Sequence, residues 1–402
     1  MNPSIKKLAE IAQKEERIII GLMSGTSLDG LDIALCRISG SGEHTRVFPD
    51  KFITKPYKPE TRSQLKNISS VGSVEMAELC RQHTWLAGLH AELILEALSE
   101  WGVRPQEVDC IASHGQTVYH LPSRDQHHPY EKPNSTLQIA DGDHIAVKTG
   151  ILTISDFRQK HTAAGSEGAP MAGLVDHLLF TDESETRILL NIGGIGNFTL
   201  VPSKNNPDQN YCTTDTGPGN TLIDKLCQEL LNIPYDENAR IAATGNINEK
   251  LLQVMHSDSW FDSRESKTTG PEYFSMEWLS EKCNDASIDM NSTKPEDIIR
   301  TATELSSQTI AASISSCLKG QKAAIYVSGG GAHNPLMMER ITSLLGDCTV
   351  QNFSELGMDP DAKEAVIFAV LANEMLAGEG FIMRGLDASE KKMNFGKISF
   401  PE

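Results

Sequence analysis

The sequence predicts an α/β protein built from two topologically related halves. Apolar runs at residues 18–22 and 33–38 flank a loop of Gly, Ser, Thr and Asp, which indicates a strand, a tight turn and a second strand. The same pattern returns at residues 188–192 and 198–201, around three glycines. Helix-like segments such as residues 87–98 and short apolar strand segments such as 108–115 and 323–331 follow, so each half continues as alternating strands and helices.

Length, charge and cysteine content argue against several classes of protein. The 402 residues are enough for two cores, and 54 acidic against 36 basic residues give a net charge of −18, which disfavours nucleic acid and anionic membranes as partners. No apolar run approaches the ~20 residues of a membrane span, and the first residues carry charges where a signal peptide is apolar. We therefore expect a cytoplasmic protein. The eight cysteines form no CxxC pair, and we expect reduced core thiols.

The common nucleotide motifs are absent. Neither GxxxxGK[ST] nor GxGxxG occurs, and GxSxG is missing as well. Instead, three Gly-rich turns each follow an apolar strand, an arrangement suited to wrapping a triphosphate. The three turns are therefore candidate nucleotide-binding turns.

The first Gly-rich turn comprises Gly25, Thr26, Ser27, Leu28, Asp29 and Gly30. Glycines let backbone N–H groups approach a phosphate, the hydroxyls add donors, and Asp29 is a candidate Mg²⁺ ligand. An ordinary hairpin with an Asp-Gly turn explains the same residues. The second turn, at Gly193 and Gly194, repeats this pattern with less charge.

The third turn contains Gly329, Gly330 and Gly331 and leads into an apolar helical pattern. Three glycines leave room for an adenine or ribose on the backbone. Asn334 is predicted to cap the helix and Pro335 to occupy its first position, where the helix N-terminus favours a phosphate. Alternatively, this is a strand-to-helix turn whose glycines only avoid strain.

Asp215 is the strongest catalytic candidate. It lies in the motif DTGPGN, before a helix with an apolar face. A capping role is the alternative, but Asn220 is closer to the helix start and is predicted to serve as the cap.

Three further side chains are candidates for binding a sugar or a carboxylate. Arg158 follows a strand and offers a planar fork, although a structural pair with Asp156 is the alternative. His114 also ends a strand, where a lone histidine is more often structural. Glu364 stands at capping-box spacing after Asp361, so helix capping competes with a ligand role.

Taken in order, the motifs SGTSLDGLD, SHGQT, DFR, GAP, NIGGIGN, DTGPGN, SGGGAHNP and DAKEA resemble the anhydro-N-acetylmuramic acid kinase family over nearly the whole chain. The resemblance implies two related actin-like ATPase (RNase H-like) domains with an interdomain cleft for ATP and sugar. We place the domains at residues 1–155 with about 385–402, and at 156–384. It also implies ATP with Mg²⁺ and a homodimer.

The same resemblance assigns roles to residues. It implies hydrolysis of the internal 1,6-anhydro bond coupled to transfer of the γ-phosphoryl group to O6, with Asp215 as general base. The stretch from Gly25 to Gly30 with Leu31 and Asp32 falls on the ATP loop, and Arg158 and Glu364 match sugar-side residues. His114 and Asn334 are kept as candidates for the sugar and ATP, respectively.

Two departures from the family pattern affect the choice of sugar. Ser166 and Glu167 stand where members usually have Gly-Gln, and Pro271 stands where they have Arg. Glu167 adds a carboxylate that could change contacts with a sugar carboxylate, so it is kept as a candidate. A levoglucosan kinase with the same chemistry, and a nonenzymatic ATP-binding regulator of the same superfamily, are the alternatives.

Overall fold

The chain divides into two units in a computed structural model. The structure describes all residues except 122–132, 170, 207–208, 210, 263–266, 268, 271–272, 291 and 385–389. The first unit contains residues 1–179 and 361–402, and the second contains residues 180–360. These boundaries differ from the predicted ones at 155/156 and about 384/385.

The α-helices are α1 (Pro3–Ala12), α2 (Pro59–Lys66), α3 (Met76–Trp101), α4 (Gly142–Thr149), α5 (Arg158–Ala163), α6 (Ala172–Phe180), α7 (Thr221–Leu231), α8 (Glu249–His256), α9 (Met276–Asp285), α10 (Pro295–Leu318), α11 (Pro335–Leu345) and α12 (Lys363–Ala377). Short 3-10 helices lie at Gly42–His44, Pro105–Glu107, Glu237–Ala239, Ala242–Thr244, Ser259–Asp262, Gly330–His333 and Phe353–Leu356.

The strands are β1 (Glu16–Ser24), β2 (Gly30–Ser39), β3 (Arg46–Pro56), β4 (Cys110–Leu121), β5 (Ser135–Ile139), β6 (Thr153–Ser155), β7 (Arg187–Ile192), β8 (Ile195–Val201), β9 (Cys212–Pro218), β10 (Ala324–Ser328), β11 (Thr349–Asn352), β12 (Phe381–Arg384), β13 (Glu390–Met393) and β14 (Lys397–Ser399).

The two main sheets share one topology. In the first unit the order is β14-β6-β4-β1-β2-β3, with β5 paired to β4. In the second unit the order is β11-β10-β7-β8-β9. In each sheet, three consecutive antiparallel strands are followed by two strands that run parallel to the first. The predicted α/β fold with two related halves is confirmed, and both predicted strand–turn–strand units are present.

Each unit has its own apolar core. The apolar residues of its strands pack against its helices. In the first unit Ile20, Ile33 and Ile111 are fully buried with residues of α3. In the second, Ile188 and Leu222 are fully buried with residues of α10. No helix in the described part of the chain is both long and apolar enough to span a membrane.

Helix α12 belongs to the first unit because small residues let it lie directly on the sheet. A Cβ placed on Gly21 of β1 would be 1.9 Å from the backbone oxygen of Ala365, and 3.1 Å from the Cβ of Ala369. Arg17 of β1 also donates to the Asn373 side chain of α12 at 2.7 Å. These contacts move the boundary from about 384 to 360.

Candidate functional site

The first Gly-rich turn presents its polar side chains to solvent and anchors itself with an apolar one. Thr26, Ser27 and Asp29 are exposed, whereas Leu28 is 4% exposed and packs in the core of the first unit. Leu28 adopts a positive φ of 57°, and its N–H donates to the Gly25 carbonyl at 3.3 Å. The turn is therefore a rigid loop with exposed hydroxyl and carboxylate groups.

A buried hydrogen-bond chain that sequence reasoning missed supports this turn. Gln116 donates to the Gly25 carbonyl at 3.1 Å and accepts from Ser24 at 2.6 Å. Ser24 also contacts the Tyr57 hydroxyl at 2.9 Å, which in turn contacts Nε2 of His90 at 2.7 Å. Burial lowers the pKa of His90 to about 3, so the ring is neutral. Ser24 and Gln116 lie in the motifs SGTSLDGLD and SHGQT, whereas Tyr57 and His90 lie in none of the motifs.

Several carboxylates of the first unit influence one another. Burial raises the pKa of Asp32, a hydrogen bond from Thr54 at 2.6 Å opposes this shift, and the charges of Asp29 and Asp361 add to it. Side-by-side negative charges of this kind attract a cation.

The carboxylates near the first Gly-rich turn fit a Mg²⁺ ion that is bound together with substrate phosphates. Among the described residues, no group of three or more His, Cys, Asp or Glu side chains could hold a metal ion. Mg²⁺ is commonly bound by one or two carboxylates together with substrate phosphates, and needs no full protein cage. The exposed Asp29, with the neighbouring Asp32, meets that requirement.

Glu364 lies in the first turn of α12 and does not form the capping box that its spacing suggested. The N-cap residue is Ala362, and no side chain caps the helix. The Glu364 side chain is exposed to solvent, but surrounding protein atoms raise its pKa. The charge of Asp32 adds to this shift, whereas the charge of Arg158 opposes it. The carboxylate thus shares its surroundings with both Asp32 and Arg158.

Arg158 is oriented by a neutral histidine. Its Nε donates to Nε2 of His114 at 2.9 Å, and Nη1 donates to the Gly168 carbonyl at 2.9 Å. Burial, then the charge of Arg158, holds the pKa of His114 well below its usual value, so Nε2 can accept. No described residue accepts a hydrogen bond from Nη2 of Arg158, which leaves this donor available to a ligand.

The alternative pairing of Arg158 with Asp156 does not form. Asp156 instead pairs with Lys397 of β14. Glu167 lies in the loop after α5, beside Gly168. The Gly168 carbonyl is the one that accepts the hydrogen bond from Arg158. Pro271, the other departure from the family pattern, lies outside the described residues.

In the second unit, the turn between β7 and β8 caps α7 with backbone carbonyls. The Gly194 carbonyl accepts from the N–H groups of Gly219 and Thr221 at 2.8 and 3.1 Å, and the Gly193 carbonyl accepts from Asn220 at 2.8 Å. The predicted side-chain cap is therefore wrong. The Asn220 amide does not cap the helix, and donates to the Ile192 carbonyl at 3.3 Å instead.

The third Gly-rich turn behaves as predicted at its helix end. Asn334 accepts from the Met337 N–H at 3.0 Å, and Pro335 is the first residue of α11. Two glycines are sterically required, since a Cβ on Gly329 would lie 2.6 Å from Oδ1 of Asn191, and one on Gly331 would lie 2.2 Å from Cγ2 of Ile192. Gly330 is exposed, and a Cβ there meets only Nδ2 of Asn220 at 3.6 Å. Packing therefore does not explain why residue 330 is a glycine.

Asp215 lies in β9, opposite Asn197 of β8, and not at the start of α7. Its backbone N–H donates to the Lys267 carbonyl at 2.9 Å, and its Oδ2 accepts from the Thr269 N–H at 2.7 Å. The carboxylate is thus held on a strand by backbone groups, and helix capping does not explain it.

The structure groups the predicted residues within each unit. The first unit contains the turn at residues 25–32 with His114, Arg158, Glu167 and Glu364, and the second contains Asp215 with the turns at 193–194 and 329–331. Sequence reasoning missed Lys267 and Thr269 as partners of Asp215, although they stand just before Pro271, where the chain departs from the family pattern.

Comparison with known proteins identifies the family. The sequence model for "Anhydro-N-acetylmuramic acid kinase" matches residues 17–397. A protein of that name from Pseudoalteromonas atlantica is 43% identical over 405 residues, covering 100% of both chains. Another, from Caldanaerobacter subterraneus subsp. tengcongensis, is 34% identical over 98% of this chain and 99% of its own.

These matches define the class of protein as a kinase. The chain belongs to the anhydro-N-acetylmuramic acid kinase family. It is a kinase of sugar metabolism that uses ATP.

Proposed function

We propose that the protein hydrolyses the 1,6-anhydro bond of anhydro-N-acetylmuramic acid and transfers the γ-phosphoryl group of ATP to O6. The products are N-acetylmuramic acid 6-phosphate and ADP. The observation that carries this proposal is the carboxylate of Asp215, held by backbone hydrogen bonds on β9 within the motif that the family uses for its general base.

Asp215 would accept a proton from water as the water oxygen bonds to the anomeric carbon. The bond from that carbon to O6 then breaks, and O6 bonds to the γ-phosphorus as the bond to ADP breaks. One water and one ATP are consumed for each sugar. Hydrolysis and phosphorylation are thereby joined, because the leaving oxygen of the first step is the nucleophile of the second.

The sugar would be held by Arg158, His114 and Glu364. Nη2 of Arg158, which donates to none of the described residues, would bind a sugar oxygen or carboxylate, and the neutral His114 fixes the direction of the guanidinium. Glu364, whose pKa is raised by its protein surroundings and by the charge of Asp32, would contact a sugar oxygen. Glu167, beside Gly168, would influence a carboxylate on the sugar.

The nucleotide would be held by the turns. We assign the phosphates to the residues from Gly25 to Asp32 and to Gly193 and Gly194, and the adenosine to Gly329, Gly330, Gly331 and Asn334. Mg²⁺ would neutralise phosphate charge when bound, with Asp29 and Asp32 as its ligands.

An isotope experiment tests the reaction. The protein is incubated with Mg-ATP and 1,6-anhydro-N-acetylmuramic acid in ¹⁸O water, and the sugar phosphate is examined by mass spectrometry. One heavy oxygen on the sugar and none in the phosphoryl group is expected. The finished product, incubated alone in ¹⁸O water, controls for exchange at the anomeric carbon. A phosphorylated sugar that keeps its anhydro bond contradicts the proposal.

Parallel assays with levoglucosan identify the sugar. Preference for the lactyl-bearing sugar is expected, because Nη2 of Arg158 donates to none of the described residues and would bind a carboxylate. Faster turnover of levoglucosan identifies the alternative kinase, and binding of ATP with turnover of neither sugar identifies the nonenzymatic regulator.

A homodimer, a cytoplasmic location and a role in peptidoglycan recycling are parts of the same proposal and stay predictions. Light scattering on the purified protein tests the dimer. Growth on externally supplied anhydro-sugar, with and without the gene, tests the recycling role.

A further inference from the structure

Two residues of the second unit hold Asp215 from opposite sides. The Lys267 carbonyl accepts from the Asp215 backbone N–H at 2.9 Å, and the Thr269 N–H donates to Oδ2 at 2.7 Å. The neighbouring Thr214, which is buried, receives the Lys267 N–H on its hydroxyl at 3.1 Å. The direction of the Asp215 carboxylate therefore depends on where the backbone of Lys267 and Thr269 lies.

The side chain of Lys267 ties that backbone to an aromatic ring. Its Nζ lies 3.8 Å from the centroid of the Trp260 ring and donates to the Trp260 carbonyl at 2.7 Å. Burial lowers the pKa of Lys267, and the charge of Asp262 opposes this shift. A cation on an indole face with a hydrogen bond to the same residue has little freedom to move.

Trp260 belongs to an aromatic cluster that consists of Trp260, Phe261, Tyr273, Phe274 and Trp278. Trp260 meets Phe274 edge-on with ring centroids 5.3 Å apart, and Phe274 meets Trp278 in the same way at 5.3 Å. Phe274 is fully buried. Edge-to-face packing of this kind restrains each ring, so the platform under Lys267 is rigid.

A buried carboxylate fixes the aromatic cluster. Asp258 accepts from the Trp260 N–H at 3.0 Å, from Nε1 of Trp278 at 2.8 Å and from the Tyr273 hydroxyl at 2.8 Å. Lys282 pairs with it at 2.8 Å. Burial works against ionisation, but these donors together bring the pKa of Asp258 down to about 2, so it is ionised at neutral pH.

We propose that Lys267 is a positioning residue for Asp215. Docked on the aromatic cluster, its side chain holds the backbone that grips Asp215 at its N–H and at Oδ2. The inference rests on the proposed function, in which Asp215 activates water. In this proposal Lys267 does not take part in the chemistry itself, and acts only by orienting the Asp215 carboxylate.

Three variants test the proposal. Lys267→Met keeps a long apolar side chain on Trp260 but removes the charge and the hydrogen bond. Lys267→Arg keeps a cation on the ring and is the conservative rescue. Lys282→Met is the matched control, since Lys282 carries its charge on the same cluster, 5.5 Å from the Trp278 ring, and contacts Asp258 rather than β9.

We expect kcat of Lys267→Met to fall about 100-fold, the cost of a misplaced catalytic group, with the KM for ATP unchanged. The acidic limb of its kcat profile should move to higher pH, because the Thr269 N–H no longer favours the ionised carboxylate. Lys267→Arg should recover most of the turnover. Lys282→Met should lose thermal stability but keep its turnover per folded molecule.

A structural role alone predicts a different pattern. If Lys267→Met loses thermal stability while its kcat per folded molecule and its pH profile match those of wild type, the positioning role is refuted. Equal losses of kcat in Lys267→Met and Lys282→Met would refute it too, because the effect would then come from the whole cluster.

Hydrogen exchange separates this inference from the proposed function. The Asp215 amide, bonded to the Lys267 carbonyl, should exchange faster in Lys267→Met than in wild type or in Lys282→Met. Faster exchange together with normal turnover of Asp215→Asn would show that the base assignment is wrong while the contact is real. Unchanged exchange together with inactive Asp215→Asn would show that Lys267 does not position the base.

Discussion

The exposed backbone of Gly330 gives the sharpest test of the nucleotide site. A Cβ at Gly330 meets no protein atom closer than 3.6 Å, whereas a Cβ at its neighbour Gly331 would lie 2.2 Å from the fully buried Ile192. Gly330→Ala should therefore change the free energy of unfolding by no more than about 0.5 kcal/mol, as an exposed substitution does. Gly331→Ala should cost about 1–3 kcal/mol through overpacking.

The two variants should also differ in nucleotide binding. If adenosine lies on the Gly330 backbone, the added methyl group raises the KM for ATP about tenfold, a loss of ~1.4 kcal/mol, with the KM for sugar unchanged. Gly329 is a poor probe of this question, because its φ of 81° and its contact with Asn191 make any side chain strained.

The assay is steady-state ADP release at varied ATP and varied sugar, with thermal unfolding on the same preparations. The reasoning is refuted if Gly330→Ala leaves the KM for ATP at the wild-type value, or if it lowers the melting temperature as far as Gly331→Ala does.

Three further predictions follow from single contacts. His114→Phe removes the acceptor of Arg158, so the KM for sugar should rise about tenfold with little change for ATP; equal changes in both constants would contradict this. Arg17, a 2%-exposed residue, donates to Asn373 and to the carbonyls of Lys14 and Gly40, so Arg17→Met removes a donor from each of these acceptors and should cost about 1–3 kcal/mol in urea unfolding; a loss below ~0.5 kcal/mol would show that these hydrogen bonds are dispensable. The pKa of Asp258 is about 2 against a usual 3.8, so its contribution is complete above pH 4 and is lost as pH falls toward 2. The stability gap to Asp258→Asn should close over that range, and a gap independent of pH would contradict the assignment.

The sequence pattern correctly predicted the two hairpins and the start of α11, because neighbouring residues determine these features. The apolar runs around residues 25–30 and 193–194 indicated hairpins because each strand pairs with its immediate neighbour. Asn334 and Pro335 indicated the start of α11 because capping depends on the next three residues.

The remaining features depend on residues far apart in sequence. Tyr57 and His90 support the first Gly-rich turn from distant elements, and no spacing rule links them to Gly25. The unit boundary at 360 follows from the close approach of Gly21 to Ala365, which a sequence shows only as two small residues.

Asn220 illustrates a third kind of failure. The residue type was right for a cap, but Asn220 has right-handed helical backbone angles and not the extended angles of a capping residue. Its amide donates to the Ile192 carbonyl instead, and the local pattern could not show this contact between residues far apart in sequence.

The role of Asp215 is the central claim, and Asp215→Asn tests it most directly. Asn keeps the shape and an oxygen for the Thr269 N–H, but lacks the basic carboxylate. Turnover should fall by about 10²–10⁴, with the melting temperature and ATP affinity close to wild type. Turnover within about threefold of wild type, less than ~1 kcal/mol in barrier height, would contradict the account, and would direct the search for a base to Glu364 or Glu167.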